Sequence, residues 1–461
     1  MKFINREKEL YFLNSKWAEK SPNFVIIYGK RRVGKTELVK QFIKNKPAVY
    51  FLADKRTTKE QLKELGRLVG DSQGDDILVK RGFADWLEVF EYLKSKIIKP
   101  FVFVVDEFPY LVETDKAISS IFQKGWDEYL KETKVFFILL GSSMSIMESE
   151  ALIYKAPLYG RRTGQILLPP LKFKEAKQFF PKMNFEDFLK IFSISGGIPA
   201  YLIQFNQNIS LKENIRKNIF ANTEFLHNEI EFILKEELRE PKNYLSILRA
   251  ISLGKRKFGE IVNEAGLEKN VMHKYLGTLE RLRIIGKAVP VTEKNSEKSR
   301  KGLYRIEDNF FRFWFQYISP YKSDLELENF HQVERKMDES FVNLESLVYE
   351  DVCQQILWGL RDKIFPFERL GRWWDRNEEI DIVGLSQETN QIIFGECKWS
   401  NKPIGINIYE DLKKKAGLVE WGDSQREEHF ILFSKSGFTR EMVKIARQDG
   451  IFLVKQDKLM N

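Results

Sequence analysis

The chain has 461 residues, of which 43% are hydrophobic and 31% charged, and its formal net charge is +9. This length predicts two to four domains, and the ordinary composition argues against extended disorder. The apolar runs are far shorter than the roughly 20 residues of a membrane helix, and the N-terminal residues become charged too early for a signal peptide, so we expect no membrane contact and a cytoplasmic location. Two cysteines and four histidines are too few for a zinc ribbon or a histidine-rich site, which leaves carboxylates as metal ligands.

A buried strand, a glycine-bounded loop and an amphipathic helix follow one another near the N-terminus. The apolar residues 24–28 predict the strand, and residues 37–43 have helical spacing. Between them, residues 29–36 read Gly-Lys-Arg-Arg-Val-Gly-Lys-Thr, which is the pattern of a phosphate-binding P-loop. The pattern requires this order of strand, loop and helix, so the sequence predicts a nucleoside triphosphate site.

The residue types of the loop suit the chemistry of phosphate binding. Gly29 and Gly34 allow the backbone to approach the phosphates, so that N–H groups and the helix N-terminus face negative charge. We expect Lys35 to reach the β and γ phosphates and Thr36 to supply a hydroxyl ligand to Mg²⁺. The other predicted nucleotide contacts in and just after the loop are Arg32, Val33 and Glu37.

Two further apolar strands end in polar residues. Residues 101–105 lead into Asp106 and Glu107, the pattern of a Walker B segment, in which Asp106 would hold Mg²⁺ through water and Glu107 would activate the attacking water as general base. Residues 135–140 lead into two serines, of which Ser142 could sense the γ-phosphate, although a plain turn explains either serine nearly as well. The predicted fold class is therefore α/β, with the parallel sheet of a P-loop nucleotide triphosphatase.

These motifs, together with segments 5–10, 140–143, 158–162 and 196–201, resemble archaeal and bacterial AAA+-related ATPases close to the signal-transduction ATPases with numerous domains. The resemblance implies that the nucleotide is ATP and that Asn5, Arg6 and Pro199 lie near the adenine. It also implies that Arg161 is an arginine finger, acting in cis or from a neighbouring subunit of a homo-oligomer. Arg162 is an equal candidate, and a surface arginine bound to a carboxylate is the alternative for both.

The middle of the chain has the order of a winged helix. Residues 244–251, 258–264 and 270–283 predict three helices, and residues 286–291 and 302–306 predict two strands around a basic tip. The polar face of the third helix and the tip would contact double-stranded DNA. The alternative is a lid that only packs on the ATPase. The aromatic segment 309–315 is interpreted as a buried connector rather than a base-stacking strip.

The C-terminal third carries a possible second active site. In the strand predicted at 392–399, Glu396 and Lys398 share a face, and Asp381 lies on a neighbouring strand. Asp381 and Glu396 would bind divalent metal while Lys398 orients or deprotonates water, and Glu345 or Glu350 could complete the ligand shell.

This pattern looks like the PD-(D/E)XK nuclease fold, although Ile380 replaces the proline of that pattern. The alternative for Glu396 and Lys398 is an exposed ion pair without catalytic function.

The resulting hypothesis is an ATPase, with ATP and Mg²⁺ as cofactors, that couples nucleotide state to DNA binding and, where the C-terminal site is catalytic, to metal-dependent DNA cleavage. The alternative function is a nucleotide-dependent regulatory switch whose C-terminal domain is a non-catalytic binding module. The predicted domains are a P-loop ATPase core at 1–170, a helical lid at 171–238, a winged helix at 239–320 and a nuclease-like domain at 321–461.

Overall fold

The structure is a computed structural model that describes residues 3–238, 240–296, 298–423 and 425–460. The chain divides into two compact units. The first contains the residues up to 171 together with 198–200 and 236–238, and the second contains the rest of the described chain. Within these ranges, no helix has the length and apolar character needed to cross a bilayer.

The first unit is built on a five-stranded parallel sheet with the strand order β2-β3-β4-β1-β5. Its strands are β1 (Asn23–Tyr28), β2 (Ala48–Leu52), β3 (Phe101–Asp106), β4 (Val135–Gly141) and β5 (Gly164–Leu167). Its helices are α1 (Glu7–Ala18), α2 (Lys35–Ile43), α3 (Thr58–Gln73), α4 (Asp76–Arg81), α5 (Trp86–Lys96), α6 (Phe108–Thr114), α7 (Ile118–Glu128) and α8 (Met144–Met147).

Both faces of this sheet are buried, which explains why its central strands are continuously apolar. One face, with Val25 and Ile27, packs against apolar residues of α1 and α2. The other, with Phe24 and Ile26, packs against α3, α5 and α7. The carboxyl ends of β1, β3 and β4 meet at one edge, where ligands of open α/β sheets bind. The α/β fold class and the parallel P-loop-type sheet are confirmed.

The second unit begins with helices and a short hairpin. Its helices are α9 (Phe173–Ala176), α10 (Phe185–Ser195), α11 (Pro199–Leu202), α12 (Leu211–Ile215), α13 (Glu229–Glu237), α14 (Pro241–Ser252), α15 (Phe258–Ala265), α16 (Lys269–Arg281), α17 (Asn309–Phe313), α18 (Lys322–Glu326), α19 (His331–Gly359) and α20 (Arg361–Ile364). The first residues of α11 and the last of α13 belong to the first unit. The hairpin pairs β6 (Ile285–Ala288) with β7 (Leu303–Ile306).

A six-stranded mixed sheet completes the second unit, in the order β13-β12-β11-β10-β9-β8. Its elements are β8 (Arg369–Asp375), β9 (Glu378–Ser386), β10 (Gln391–Lys398), α21 (Ile406–Ala416), β11 (Glu427–Ser434), α22 (Arg440–Asp449), β12 (Phe452–Lys455) and β13 (Lys458–Leu459). The strands β8, β9 and β10 run antiparallel, and β10, β11 and β12 run parallel. Residues of α21 and α22 cover one face of the sheet.

The elements of the middle segment form close to the predicted positions, with two differences. The third helix ends at Arg281, because the chain turns at Arg283 with a positive φ of 54°. The first hairpin strand ends at Ala288, because Pro290 lacks the N–H that a strand ladder needs. The aromatic segment is buried in and around α17, which confirms the connector interpretation. The finer division into four domains stays a prediction.

Candidate functional site

The P-loop geometry depends on its first glycine. Gly29 has φ +152°, and a Cβ built there would lie 2.4 Å from the carbonyl oxygen of Leu168, so a larger residue would force the backbone apart. Gly34 has φ +95°, which other residues rarely adopt, and it immediately precedes α2. The loop therefore ends with the N-terminus of α2 directed towards the space above the strands, an arrangement suited to phosphate.

The ammonium group of Lys35 is buried inside this loop. Its Nζ donates hydrogen bonds of 3.0 Å to the carbonyl oxygens of Gly29 and Lys30. Burial lowers the pKa of Lys35 to about 8, although the nearby carboxylates of Glu107 and Asp106 act in the opposite direction. Phosphate oxygens would give this ammonium full negative charges as partners in place of carbonyl dipoles.

The predicted magnesium residues lie side by side. Asp106 is buried, and its Oδ2 accepts a hydrogen bond of 2.8 Å from the Thr36 hydroxyl and another from the Tyr50 hydroxyl. A hydroxyl and a carboxylate are the hard oxygen donors that Mg²⁺ prefers, so these residues fit that ion. The sequence does not predict the role of Tyr50. A tyrosine in an apolar strand does not indicate which residue of a neighbouring strand its hydroxyl will contact.

Glu107 is held in a specific position at the end of β3. It caps α6 with φ +54°, a left-handed conformation that costs about 1 kcal/mol or more for a residue with a side chain. Its Oε1 accepts a hydrogen bond of 2.8 Å from the Ser142 hydroxyl at the end of β4. The structure thus brings the predicted base and the predicted γ-phosphate sensor into direct contact.

Two glutamates at the end of α13 contact the P-loop and the segment just after β4. Arg31 forms an ion pair of 2.9 Å with Glu236 and hydrogen bonds at 3.2 Å to the Tyr110 hydroxyl. The adjacent Glu237 accepts a hydrogen bond of 3.2 Å from Ser143, and burial raises its pKa to about 7. No sequence pattern predicts this contact, because Glu236 and Glu237 are about 200 residues from the loop and end an ordinary amphipathic helix.

Of the residues predicted near the adenine, Arg6 forms hydrogen bonds that hold the P-loop in place. Asn5 and Arg6 both have positive φ, and the Arg6 guanidinium donates to the carbonyl oxygens of Val33 at 3.2 Å and Pro169 at 2.6 Å. Arg6 therefore braces the P-loop. Pro199 begins α11 and belongs to the first unit, and its place near the adenine stays a prediction. The side chain of Glu37 is exposed and lies 3.5 Å from Lys40.

Both candidate arginine fingers have partners inside the first unit. Arg161 forms an ion pair of 3.1 Å with Asp127 of α7. Arg162 donates at 2.8 Å to the carbonyl oxygen of Ala151, and its guanidinium lies 4.7 Å from the ring centre of Tyr159. A role for either arginine as a finger would require it to leave these contacts, and the assignment stays a prediction.

The C-terminal residues also meet. The register of β9 and β10 brings Asp381 next to Glu396, as predicted. Asp381 Oδ2 accepts from the backbone N–H of Cys397 at 2.9 Å, and its Oδ1 lies 3.6 Å from the guanidinium of Arg372. Lys398 donates to Glu396 Oε1 at 2.5 Å, while burial raises the pKa of Glu396.

The two helical acids proposed to complete this site have other partners. Glu345 accepts from the Trp399 indole N–H at 2.6 Å, and Glu350 forms an ion pair of 3.0 Å with Arg372. Among the described residues, no three or more histidine, cysteine, aspartate or glutamate side chains form a group that could hold a metal ion. The metal role of Asp381 and Glu396 therefore stays a prediction.

Comparison with known proteins identifies the first unit. A domain family described as an ATPase domain predominantly from Archaea matches residues 3–205. The uncharacterized protein MJECL04 of Methanocaldococcus jannaschii is 36% identical, and the alignment covers 95% of this chain and 97% of that protein. The chain belongs to the same family as MJECL04, and its residues 3–205 match the archaeal ATPase domain. A second family, of archaeal and bacterial proteins of unknown function, matches residues 314–415.

Two more distant proteins are similar to this ATPase. The uncharacterized ATP-binding protein MJ0147 of M. jannaschii is 25% identical over 56% of this chain and 86% of its own length. The Walker-type ATPase PABY2304 of Pyrococcus abyssi superimposes with a TM-score of 0.50 at 20% identity, and the match covers 68% of this chain and 96% of that one. The second likeness shows the fold of the ATPase.

Proposed function

We propose that this ATPase hydrolyses Mg²⁺-ATP and uses the bound nucleotide to control DNA binding by the segment that begins at α14. The observation that carries this proposal is the ion pair between Arg31 in the P-loop and Glu236. Glu236 lies five residues before Pro241, where α14 begins. The residue that contacts the P-loop is therefore only five positions along the chain from the first helix of the proposed DNA-binding segment.

The hydrolytic chemistry is assigned to residues already near one another. Lys35 and the loop amides would bind the β and γ phosphates, and Thr36 and Asp106 would hold Mg²⁺, which would supply positive charge to neutralise the phosphates. Glu107 orients and deprotonates the attacking water. Its hydrogen bond to Ser142 keeps the carboxylate aligned at the strand ends, where the γ-phosphate would lie.

The coupling follows from competition for Arg31. A triphosphate in the loop offers the guanidinium more negative charge than the single carboxylate of Glu236. Nucleotide binding would thereby loosen residues 236 and 237 and change the freedom of the attached α14.

Three features support DNA as the ligand of this segment. Helices α14, α15 and α16 followed by the β6–β7 hairpin have the order of a winged helix. On α16, the side chains of Asn270, His273 and Lys274 are exposed. The connection between the two hairpin strands is strongly basic, with exposed Lys294, Lys298, Arg300 and Lys301. A polar helix face beside a cationic loop suits base edges and phosphates of a duplex.

The substitution Glu236→Gln tests the coupling. In the native protein, we expect a non-hydrolysable ATP analogue to change the dissociation constant for a DNA duplex by about 5- to 150-fold, the usual range of coupling between two sites. The variant loses the ion pair to Arg31, so its affinity for DNA is expected to be nearly the same with and without the analogue. Fluorescence anisotropy with labelled duplex measures both values.

The control is Glu64→Gln, which removes an exposed ion pair with Arg67 on α3. This variant should keep the native nucleotide effect. A Glu236→Gln protein that also keeps the full effect would contradict the coupling route. Native protein that binds no duplex under any nucleotide condition would contradict the DNA proposal itself.

Metal-dependent DNA cleavage is a second candidate function. It is favoured by a specific observation, namely that Glu396 Oε2 is buried and, within the described residues, has no hydrogen-bond partner. Asp381 and Glu396 would supply two carboxylate ligands to a divalent cation, and Lys398 lies beside Glu396. When bound, the cation would supply Lewis-acid stabilisation of the phosphate, and Lys398 would hold the water.

Plasmid nicking with Mg²⁺ or Mn²⁺ tests this second function. We expect nicking by the native protein, loss of nicking in Asp381→Ala, and unchanged nicking in Lys35→Ala. ATP turnover by the Asp381→Ala preparation serves as the folding control. Absence of nicking in the native protein would instead favour the regulatory switch, in which this domain only binds its partner.

A further inference from the structure

A cavity of about 640 Å³ opens in the second unit beside the β6–β7 hairpin. Its walls come from the start of α15, from α16, from the hairpin and from the turn between β8 and β9. The side chains that matter below are Lys257, Phe258, His273, Arg300, Trp374 and Arg376. The volume falls in the range of about 300–1,000 Å³ that is typical of ligand sites.

The cavity is lined by aromatic rings that remain accessible. Phe258 and His273 stack face to face at a centroid distance of 4.4 Å with an interplanar angle of 20°, so each ring covers one face of the other. The outer face of this stacked pair is called the Phe258–His273 surface below. Trp374, at the end of β8, is half-buried and contributes an indole from a separate element. Its neighbour Trp373 points to the other face of the sheet and is buried in the core.

The same cavity is strongly cationic. Lys257, Arg300 and Arg376 are exposed along its rim. Asp375 is the single carboxylate among the described lining residues, and it is already 3.4 Å from the ammonium of Lys301. The net charge of the lining therefore favours an anion, and flat rings together with a cationic rim favour an anion that carries bases.

We propose that this cavity binds an unpaired single-stranded segment of DNA adjoining the duplex, with one or more bases stacked on Trp374 or on the Phe258–His273 surface. Arg300, Lys257 and Arg376 contact the phosphates of that segment. The inference rests on the proposed DNA binding and deepens it, because it assigns a preferred substrate: a duplex with a single-stranded extension.

This site overlaps the predicted duplex-binding surface and extends beyond it. His273, Arg300 and Lys301 line the cavity, whereas Asn270 and Lys274 of α16 do not. The end of β8 and the turn that follows it, in the C-terminal sheet, also line the cavity. A winged helix that only reads a duplex would need no contribution from Trp374 and Arg376. Their presence in one cavity with the hairpin gives the C-terminal sheet a role in substrate selection that does not depend on cleavage.

The test compares a blunt duplex with the same duplex carrying a 12-nucleotide thymidine extension at either end. We expect at least one of the extended duplexes to bind about tenfold more tightly than the blunt duplex. Trp374→Ala should remove most of that advantage, since a stacked base loses about an order of magnitude in affinity when its aromatic partner is removed. Trp374→Phe should restore part of it.

Arg300→Ala, a change at an exposed side chain, should reduce the advantage severalfold without a risk to folding.

Matched controls lie on α19, outside the cavity. Trp358→Ala changes another exposed tryptophan, and Arg335→Ala changes another exposed arginine; both should bind like the native protein. Equal binding of blunt and extended duplexes by native protein would overturn the inference and leave duplex binding intact. Equal loss for both substrates in Trp374→Ala would also overturn it, as would tighter binding of an RNA extension of the same sequence. Failure to bind any duplex would instead remove the proposed function on which the inference rests.

Discussion

Lys35→Ala is expected to lower both the affinity for ATP and the rate of ATP turnover by about 100- to 1,000-fold. The ammonium is the buried positive group of the P-loop, and its loss removes charge-assisted hydrogen bonds to the phosphates worth about 3–4 kcal/mol in a site screened from water. It also leaves the carbonyl oxygens of Gly29 and Lys30 without the donor that they have now. Titration with a fluorescent ATP analogue and a phosphate-release assay measure the two effects.

The control for this change is Lys40→Ala. Lys40 lies on the exposed face of the same helix, where it is near Glu37, and we expect native binding and turnover from that variant. A Lys35→Ala protein that retained more than a tenth of native turnover would show that the triphosphate does not sit in this loop. Circular dichroism of both variants checks that α2 is intact.

Glu107→Gln is expected to separate binding from hydrolysis. Glutamine has the same shape and can still accept the hydrogen bond from Ser142, so the left-handed backbone at position 107 and the affinity for ATP should change little. The amide cannot take a proton from water, and loss of a general base typically lowers turnover by about 10²- to 10⁴-fold. Single-turnover hydrolysis together with equilibrium binding of ATP provides the measurement.

Glu113→Gln, on the exposed face of α6, is the matched control and should turn over ATP normally. If Glu107→Gln reduced affinity as much as turnover, the carboxylate would be acting in ground-state binding and another group would have to serve as base. Turnover within threefold of native would exclude Glu107 as the base altogether.

The local parts of the nucleotide site were predictable because their signals are contiguous in the chain. The strand, loop and helix around Gly29 and Lys35 follow from apolar runs and glycine spacing, and the two acids at the end of β3 follow from their position after a buried strand. Each of these signals spans fewer than ten residues. Backbone geometry and strand polarity then place them at one edge of a parallel sheet.

The long-range parts of the site could not be predicted in the same way. The phenol of Tyr50 reaches Asp106 only because β2 and β3 are neighbours in the sheet. The guanidinium of Arg6 donates to the carbonyl oxygens of Val33 and Pro169, the second of which is 163 residues away in the chain. The partner of a side chain depends on which segments pack together. The periodicity of one segment predicts its secondary structure but not which other segment it packs against.

The sequence by itself determined that the chain carries a P-loop and a pair of Walker B acids. It also determined that Asp381, Glu396 and Lys398 lie on strands near the C-terminus. These conclusions rest on short-range patterns with a direct physical meaning. Only the tertiary structure decided that Glu236 pairs with Arg31, that Ser142 holds Glu107, and that Trp374 shares a cavity with the basic hairpin. Contacts between residues far apart in the chain arise from the packing of whole elements, which no short segment of sequence specifies by itself.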